Sequence, residues 1–233
     1  GQYNSKNTVT NCEIYDYFGT AAQSAGIYIT SGSTEWTITN NKFYQTVSKT
    51  QTTGSIHAAI QIGSTNVDGC VITGNTIGFA NAAGTGMYQW VGVSTSSRMV
   101  GIYLSSHGST QKTIISNNSI QNISLSGTLG STTSSSAFIG IQISSGWSDC
   151  NSNTIGSLDG TKTILIANSS TSSSEVYGIY SSASIAAVTT FNNNSIGAIT
   201  HSKSNTAACG LVGLRAGSSS SNNLIIEDNA IGN

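Results

Sequence analysis

Apolar residues in this chain recur in short bursts, each closed by an Asn-rich turn and reopened by Ile or Phe. The bursts read TVTNCEI up to Ile14, TITNNKF up to Phe43, VITGNTI up to Ile77 and IISNNSI up to Ile120. They continue as CNSNTI up to Ile155, FNNNSI up to Ile196 and IEDNAI up to Ile231. Aligned on the second polar position, one column holds Cys12, Asn41, Asn75, Asn118, Asn153, Asn194 and Asn229. Three residues earlier stand Val9, Ile38, Ile72, Ile115, Cys150, Phe191 and Ile226, and two residues later Ile14, Phe43, Ile77, Ile120, Ile155, Ile196 and Ile231. Both flanking columns are apolar in all seven copies. Self-similarity of this kind marks a repeat architecture.

A second motif alternates with the first: GIYI from Gly26, AIQI from Ala59, GIYL from Gly101, GIQI from Gly140, GIYS from Gly178 and GLRA from Gly213. From each of these to the next column Asn the distance is 13–17 residues; from each column position to the next Gly or Ala it is 14–26. One arc is nearly constant, and the other varies and holds Ser/Thr-rich stretches such as STTSSS from Ser131. Alternation within TIT and GIYI turns every second side chain inward, as in a strand. The pattern predicts an all-β solenoid of about seven coils at irregular 29–43-residue pitch, with two or three short strands per coil. The constant arc reads as a tight turn and the variable arc as loops. The Asn column is placed at a bend, where each amide can bond to its equivalents above and below in an internal ladder. Asn122 lies outside this column and is expected to be replaceable at little cost.

These features resemble the right-handed parallel β-helix shared by pectate-lyase-like proteins and many surface proteins. NTIG from Asn153, NSIG from Asn194 and the recurrent GIY look more narrowly like long β-helix repeat proteins of Bacteroidota-type bacteria. That resemblance covers the whole chain and implies a secreted or cell-surface protein; the fold hosts many functions and selects none.

Composition narrows the functions. Charged residues are only 7% of the chain and net charge is -1, which leaves no basic footprint for nucleic acid and no polybasic patch for a membrane. No apolar run is long enough for a membrane-spanning helix. Cys12, Cys70, Cys150 and Cys209 show no metal-ligand spacing and fall in different columns, so they read as unpaired, buried small hydrophobes. No cofactor, metal or catalytic group is indicated. Of the acids, only Glu35 and Asp68 fall at nearly matching positions of adjacent coils, with Lys112 in the Glu35 column. They form the weak alternative acidic site, read mainly as a solvated turn. His57, His107 and His201 share no column, and His107 in SSHGS reads as exposed. Thr8/Thr10 and Thr37/Thr39 begin a Thr-x-Thr array that decays within three coils, too short for an ice-binding face. Trp90 with Tyr88 in the long arc, and Trp147 in a tight turn, read as cover for the core's flank under a long loop or, if exposed, as sugar-stacking platforms.

One outward column has a pattern of its own. Two residues past each Gly or Ala stand Tyr28, Gln61, Tyr103, Gln142, Tyr180 and Arg215, a possible contact stripe with tyrosines every second coil. The chain opens just before the first repeat and closes just after the last, with no capping segment. It therefore reads as a single solenoid domain over 1–233, a slice of a longer protein or a filament subunit. The expected function is an extracellular structural β-solenoid, either an adhesin-like surface segment or a self-stacking filament subunit. The expected partners are the rest of a longer solenoid or other copies. The alternative is a carbohydrate-active or carbohydrate-binding β-helix.

Overall fold

The computed structural model describes residues 4–183, 187–217 and 224–232. They form an all-β, all-parallel solenoid in which every strand pairs with its equivalent one coil away. Four stacked sheets surround the core, here A to D in the order the chain meets them after each Gly-Ile motif. Sheet A contains Thr8–Thr10, Thr37–Thr39, Val71–Thr73, Thr113–Ser116 and Ser148–Asn151, and the pair Thr189–Asn192 and Leu224–Glu227 follows the same path. Sheet B runs unbroken through seven strands, from Glu13–Tyr15 to Ala230–Ile231. Sheet C contains Lys49–Thr50, Tyr88–Val93, Ile123–Thr128, Ile164–Asn168 and Ile199–Lys203. Sheet D carries the Gly-Ile motif in six strands, from Ser24–Ile29 to Cys209–Ala216.

Sheet C was not expected. It occupies the arc that reads as loop, and its inward residues Tyr88, Trp90, Ile123, Leu125, Ile164 and Ile166 are buried in the core. Trp90 is thus a core residue rather than a cover for one. The two predicted apolar columns stack as inferred: Ile38, Ile72, Ile115, Cys150 and Phe191 are fully buried, and so are Phe43, Ile77, Ile120 and Ile155.

The Asn column is a continuous hydrogen-bonded ladder between sheets A and B. Each Nδ2 donates to the next Oδ1: Asn41 to Asn75 at 3.0 Å, Asn75 to Asn118 at 2.9 Å and Asn118 to Asn153 at 3.0 Å. Asn153 to Asn194 at 3.1 Å and Asn194 to Asn229 at 2.9 Å complete it. The backbone N–H at each ladder position donates to that same Oδ1, beginning with Cys12 to Asn41 at 2.9 Å. The second Nδ2 proton reaches back to the previous coil, where Asn118 bonds the carbonyl of Ile72 at 2.9 Å and Asn153 that of Ile115 at 3.0 Å. Each inner amide therefore ties three coils together with both donors and both acceptor sites used, as a buried amide requires.

The residue before the ladder adopts positive φ in every coil: Asn11, Asn40, Gly74, Asn117, Ser152, Asn193 and Asp228. This left-handed residue turns the chain sharply from sheet A into sheet B, and short polar side chains and Gly tolerate that conformation best. The doubled Asn of the repeat thus has two separate causes. Asn122 sits at a second such corner, with φ 50°, so it is not the silent control expected of it.

The Gly of the second motif answers to a close approach rather than to φ. A Cβ on Gly101 would lie 2.6 Å from the Gly140 carbonyl and 2.7 Å from Ile120 Cδ1, and one on Gly140 would lie 2.6 Å from the Gly178 carbonyl. Sheet D bends inward at this column, so the pairing register passes from Met99 and Val100 to Ile102 without Gly101.

Asn118→Ala strands buried donors and acceptors on three coils and is expected to destabilise by about 1–3 kcal/mol. Asn117→Gly should change stability by a few tenths at most, whereas Asn117→Ala should cost about 1–2 kcal/mol in left-handed strain. Urea melts of the three variants check this; equal losses at positions 117 and 118 on going to Gly and Ala respectively would contradict it.

Candidate functional site

The acids do not converge. Glu35 approaches Lys6 at 3.8 Å, whereas the Asp68 carboxylate accepts the Gln111 N–H at 3.1 Å. Lys112, expected in the Glu35 column two coils away, pairs with Asp149 at 2.8 Å and lies 5.0 Å over the Trp147 ring. The two carboxylates share only a backbone link, Glu35 N–H to the Asp68 carbonyl at 2.9 Å. Other acids are also engaged locally: Glu13 accepts the Tyr44 hydroxyl, Asp16 the Thr46 N–H and hydroxyl, and Glu175 the Tyr177 hydroxyl. Among the described residues, no group of three or more His, Cys, Asp and Glu is placed to hold a metal ion.

The histidines are packing residues. His57 lies in the interior, with Nδ1 2.6 Å from Ser24 Oγ, Nε2 against the Tyr88 hydroxyl and its ring stacked on Tyr17 at 5.0 Å. Burial pushes its pKa down to about 3. His107 is buried too, contrary to the exposed turn expected, because the turn folds back under Gly146 and Trp147; its pKa is pushed down to about 4. His201 Nδ1 lies 3.0 Å from the Gly210 carbonyl and its Nε2 2.9 Å from Ser174 Oγ. Ser174 is itself buried, so this contact joins sheets C and D rather than offering a nucleophile.

The cysteines divide in a way the sequence does not show. All are free thiols, but only Cys70 and Cys150 are buried; Cys12 and Cys209 are exposed on the outermost coils of the described residues. Burial pushes the Cys70 thiol to about 11 and raises that of Cys150 further.

The outer face of sheet D carries the possible contact stripe, and its exposure is uneven. Tyr28 is 53% exposed and Arg215 is exposed, Tyr103 is half-buried, and Gln61, Gln142 and Tyr180 are buried. The inward bend at Gly puts two residues of each strand on the outside, so Val100, Ile139 and Tyr177 join Tyr180 in a small second hydrophobic cluster. Residues 130–137 lie beside it: the Gly130 N–H bonds the Ser97 carbonyl, and Arg98 donates to the Ser134 carbonyl and lies 3.4 Å from Gln142 Oε1. The continuous row of aromatic faces expected from alternation is therefore interrupted. Both arginines of the chain stand here, Arg98 5.4 Å over the Tyr103 ring and Arg215 5.4 Å over the Tyr180 ring. Arg98 was missed because it lies outside the six-residue column. Beside it opens a cavity of about 350 Å³ lined by Gln23, Ser55, Ile56, Thr95, Ser96 and Ser135.

Comparison with protein-family models, curated proteins and solved structures finds no match to this chain. No helix in the described residues is long and apolar enough to cross a membrane.

Two measurements follow from the buried groups. In native protein a thiol reagent should modify Cys12 and Cys209 rapidly and Cys70 and Cys150 only on unfolding; rapid modification of Cys150 would contradict the packing. For His57 and His107 the folded pKa lies below the unfolded value of about 6.5. Their neutral burial therefore favours folding fully above pH 6.5, and that contribution is lost as pH falls toward about 4 for His107 and about 3 for His57, because the unfolded chain binds protons first. Each histidine should add up to about 1.4 kcal/mol per pH unit across that window, and His107→Gln should flatten the slope in pH-dependent urea melts.

Proposed function

We propose that this chain is a structural β-solenoid, a segment of a larger extracellular or cell-surface protein, rather than an enzyme. The observation that carries the reading is the ladder, an uninterrupted internal hydrogen-bond chain from Cys12 to Asn229. Such a chain fixes coil on coil and favours a stiff spacer. The carboxylates support the same reading, since Asp16 and Asp68 are engaged by backbone N–H groups of neighbouring turns and Asp149 by the Lys112 ammonium.

The ladder also has a polarity: from Cys12 to Asn194 each backbone N–H, and from Asn41 to Asn194 one Nδ2 proton of each Asn, points forward to an Oδ1 on the following coil. Such a polarity favours coils stacked head to tail in one direction, as a stiff spacer needs.

Sedimentation and electron microscopy of purified protein should show short single particles, and incubation with a polysaccharide panel should release no reducing ends or unsaturated products. Long fibres one solenoid wide would overturn the segment reading, and product release would overturn the structural one.

A further inference from the structure

Arg98 carries a charge that the fold does not neutralise. Among the described residues two ion pairs form, Lys6 with Glu35 and Lys112 with Asp149, and neither involves Arg98. The hydrogen bonds of its half-buried guanidinium go only to neutral groups. Nη1 donates to the Ser134 carbonyl and lies 3.4 Å from Gln142 Oε1, and Nη2 lies 3.5 Å from the Tyr103 hydroxyl. A guanidinium has five N–H donors. Two of them, one on Nε, therefore have no protein acceptor.

Arg98 lines the cavity of about 350 Å³ at the corner between sheets C and D, and no acidic side chain lines it. Hydroxyls of successive coils do: Ser55, then Thr95 and Ser96, then Ser135. Those of Thr95, Ser96 and Ser135 are exposed and bond to no other described residue. Gln23 adds an amide that gives one proton to Gln61 Oε1 at 2.8 Å and keeps the other. The turn carrying Thr95 and Ser96 is set by its own bonds. The Ser97 N–H reaches the Ser94 carbonyl at 2.9 Å, and the buried Ser97 Oγ accepts the Val93 and Ser94 N–H groups at 3.1 and 3.2 Å. Ser94 fills the place that a Cβ on Gly54 would occupy, which seats the turn on the preceding coil. From the following coil the Gly130 N–H bonds the Ser97 carbonyl at 2.9 Å, fastening residues 130–137 beside it. The donors are thus held in place before any ligand arrives, which lowers the ordering cost of binding.

We infer that this pocket binds a small phosphomonoester by its phosphate group. An unpaired guanidinium flanked by neutral donors suits an oxyanion. The free donors come from four successive coils, with Gln23 on the first and Ser135 on the last, so they surround an acceptor instead of lying in one plane. A tetrahedral phosphate with three terminal oxygens can engage such a set. A planar carboxylate has two oxygens and is satisfied by the arginine fork alone. The volume stands at the lower end of small-molecule sites, roughly 300–1,000 Å³, which leaves room for the ester as well as the phosphate. Ile56 gives the ester its apolar contact. The inference is independent of the structural reading, because the pocket contains no ladder residue.

The test is isothermal titration of the intact chain with glycerol 3-phosphate, glycerol and acetate at fixed ionic strength. Glycerol 3-phosphate should bind saturably, glycerol should not bind, and acetate should bind at least several-fold more weakly. Arg98→Gln should weaken glycerol 3-phosphate binding about tenfold, as the loss of a charge-assisted contact implies. Arg215→Gln, outside the pocket, should leave it unchanged. Thr95→Val with Ser96→Ala should weaken it several-fold at an unchanged urea midpoint, because those hydroxyls have no partner in the fold. No saturable binding, equal binding of glycerol or acetate, undiminished binding by a folded Arg98→Gln or by the hydroxyl variant, or an equal loss in Arg215→Gln would each overturn the inference. If Arg98→Gln misfolds, the hydroxyl variant decides.

Discussion

A buried primary amide has two donors and two acceptor sites, and a solenoid interior offers no water to fill them. That constraint organises this molecule. Once one Asn is buried at the corner between sheets A and B, its Oδ1 and Nδ2 demand partners above and below, and the cheapest partner is another Asn in the same place. Leaving one buried group unpaired costs about 1–3 kcal/mol, so a single disruption exposes its neighbours on both sides. The column consequently holds coil register although coil length varies from 29 to 43 residues. It also gives the stack a direction, because every Oδ1 faces the preceding coil.

The remaining geometry follows from fitting strands around that corner. The left-handed residue before each ladder Asn supplies the bend, and the flanking apolar columns fill the space on either side. Opposite the corner, sheet D approaches the Ile column of sheet B so closely that only Gly, or Ala at position 59, fits. Variation in coil length is absorbed by the arc holding sheet C and its loops. Those loops partly cover the tyrosine face of sheet D and stand beside the outer face of sheet B.

The fold was legible because its determinants are periodic. The Asn column, the two apolar columns and the Gly-Ile motif repeat often enough to show register without any structure. Sheet C escaped notice because Lys49–Thr50, Tyr88–Val93 and Ile164–Asn168 share no motif, although YQWVGV and ILIAN each alternate locally. The doubled Asn hid two roles in one run of letters. Exposure was the least legible property. Tyr28 and Tyr180 occupy equivalent positions, yet one is solvated and the other buried, because burial there depends on neighbouring side chains and a loop from another coil. Glu35 and Asp68 looked adjacent by register, but each carboxylate found a nearer partner than the other.

The ladder is tested most directly by hydrogen exchange of Asn side-chain amides in native protein. The Nδ2 protons of Asn75, Asn118 and Asn153 each bond two partners inside the stack and should exchange only through global unfolding. Those of exposed Asn205, bonded to the loop carbonyls of Ser169 and Ser170, should exchange far faster. Exchange of the ladder amides at the rate of Asn205 would show that the column does not hold the coils together.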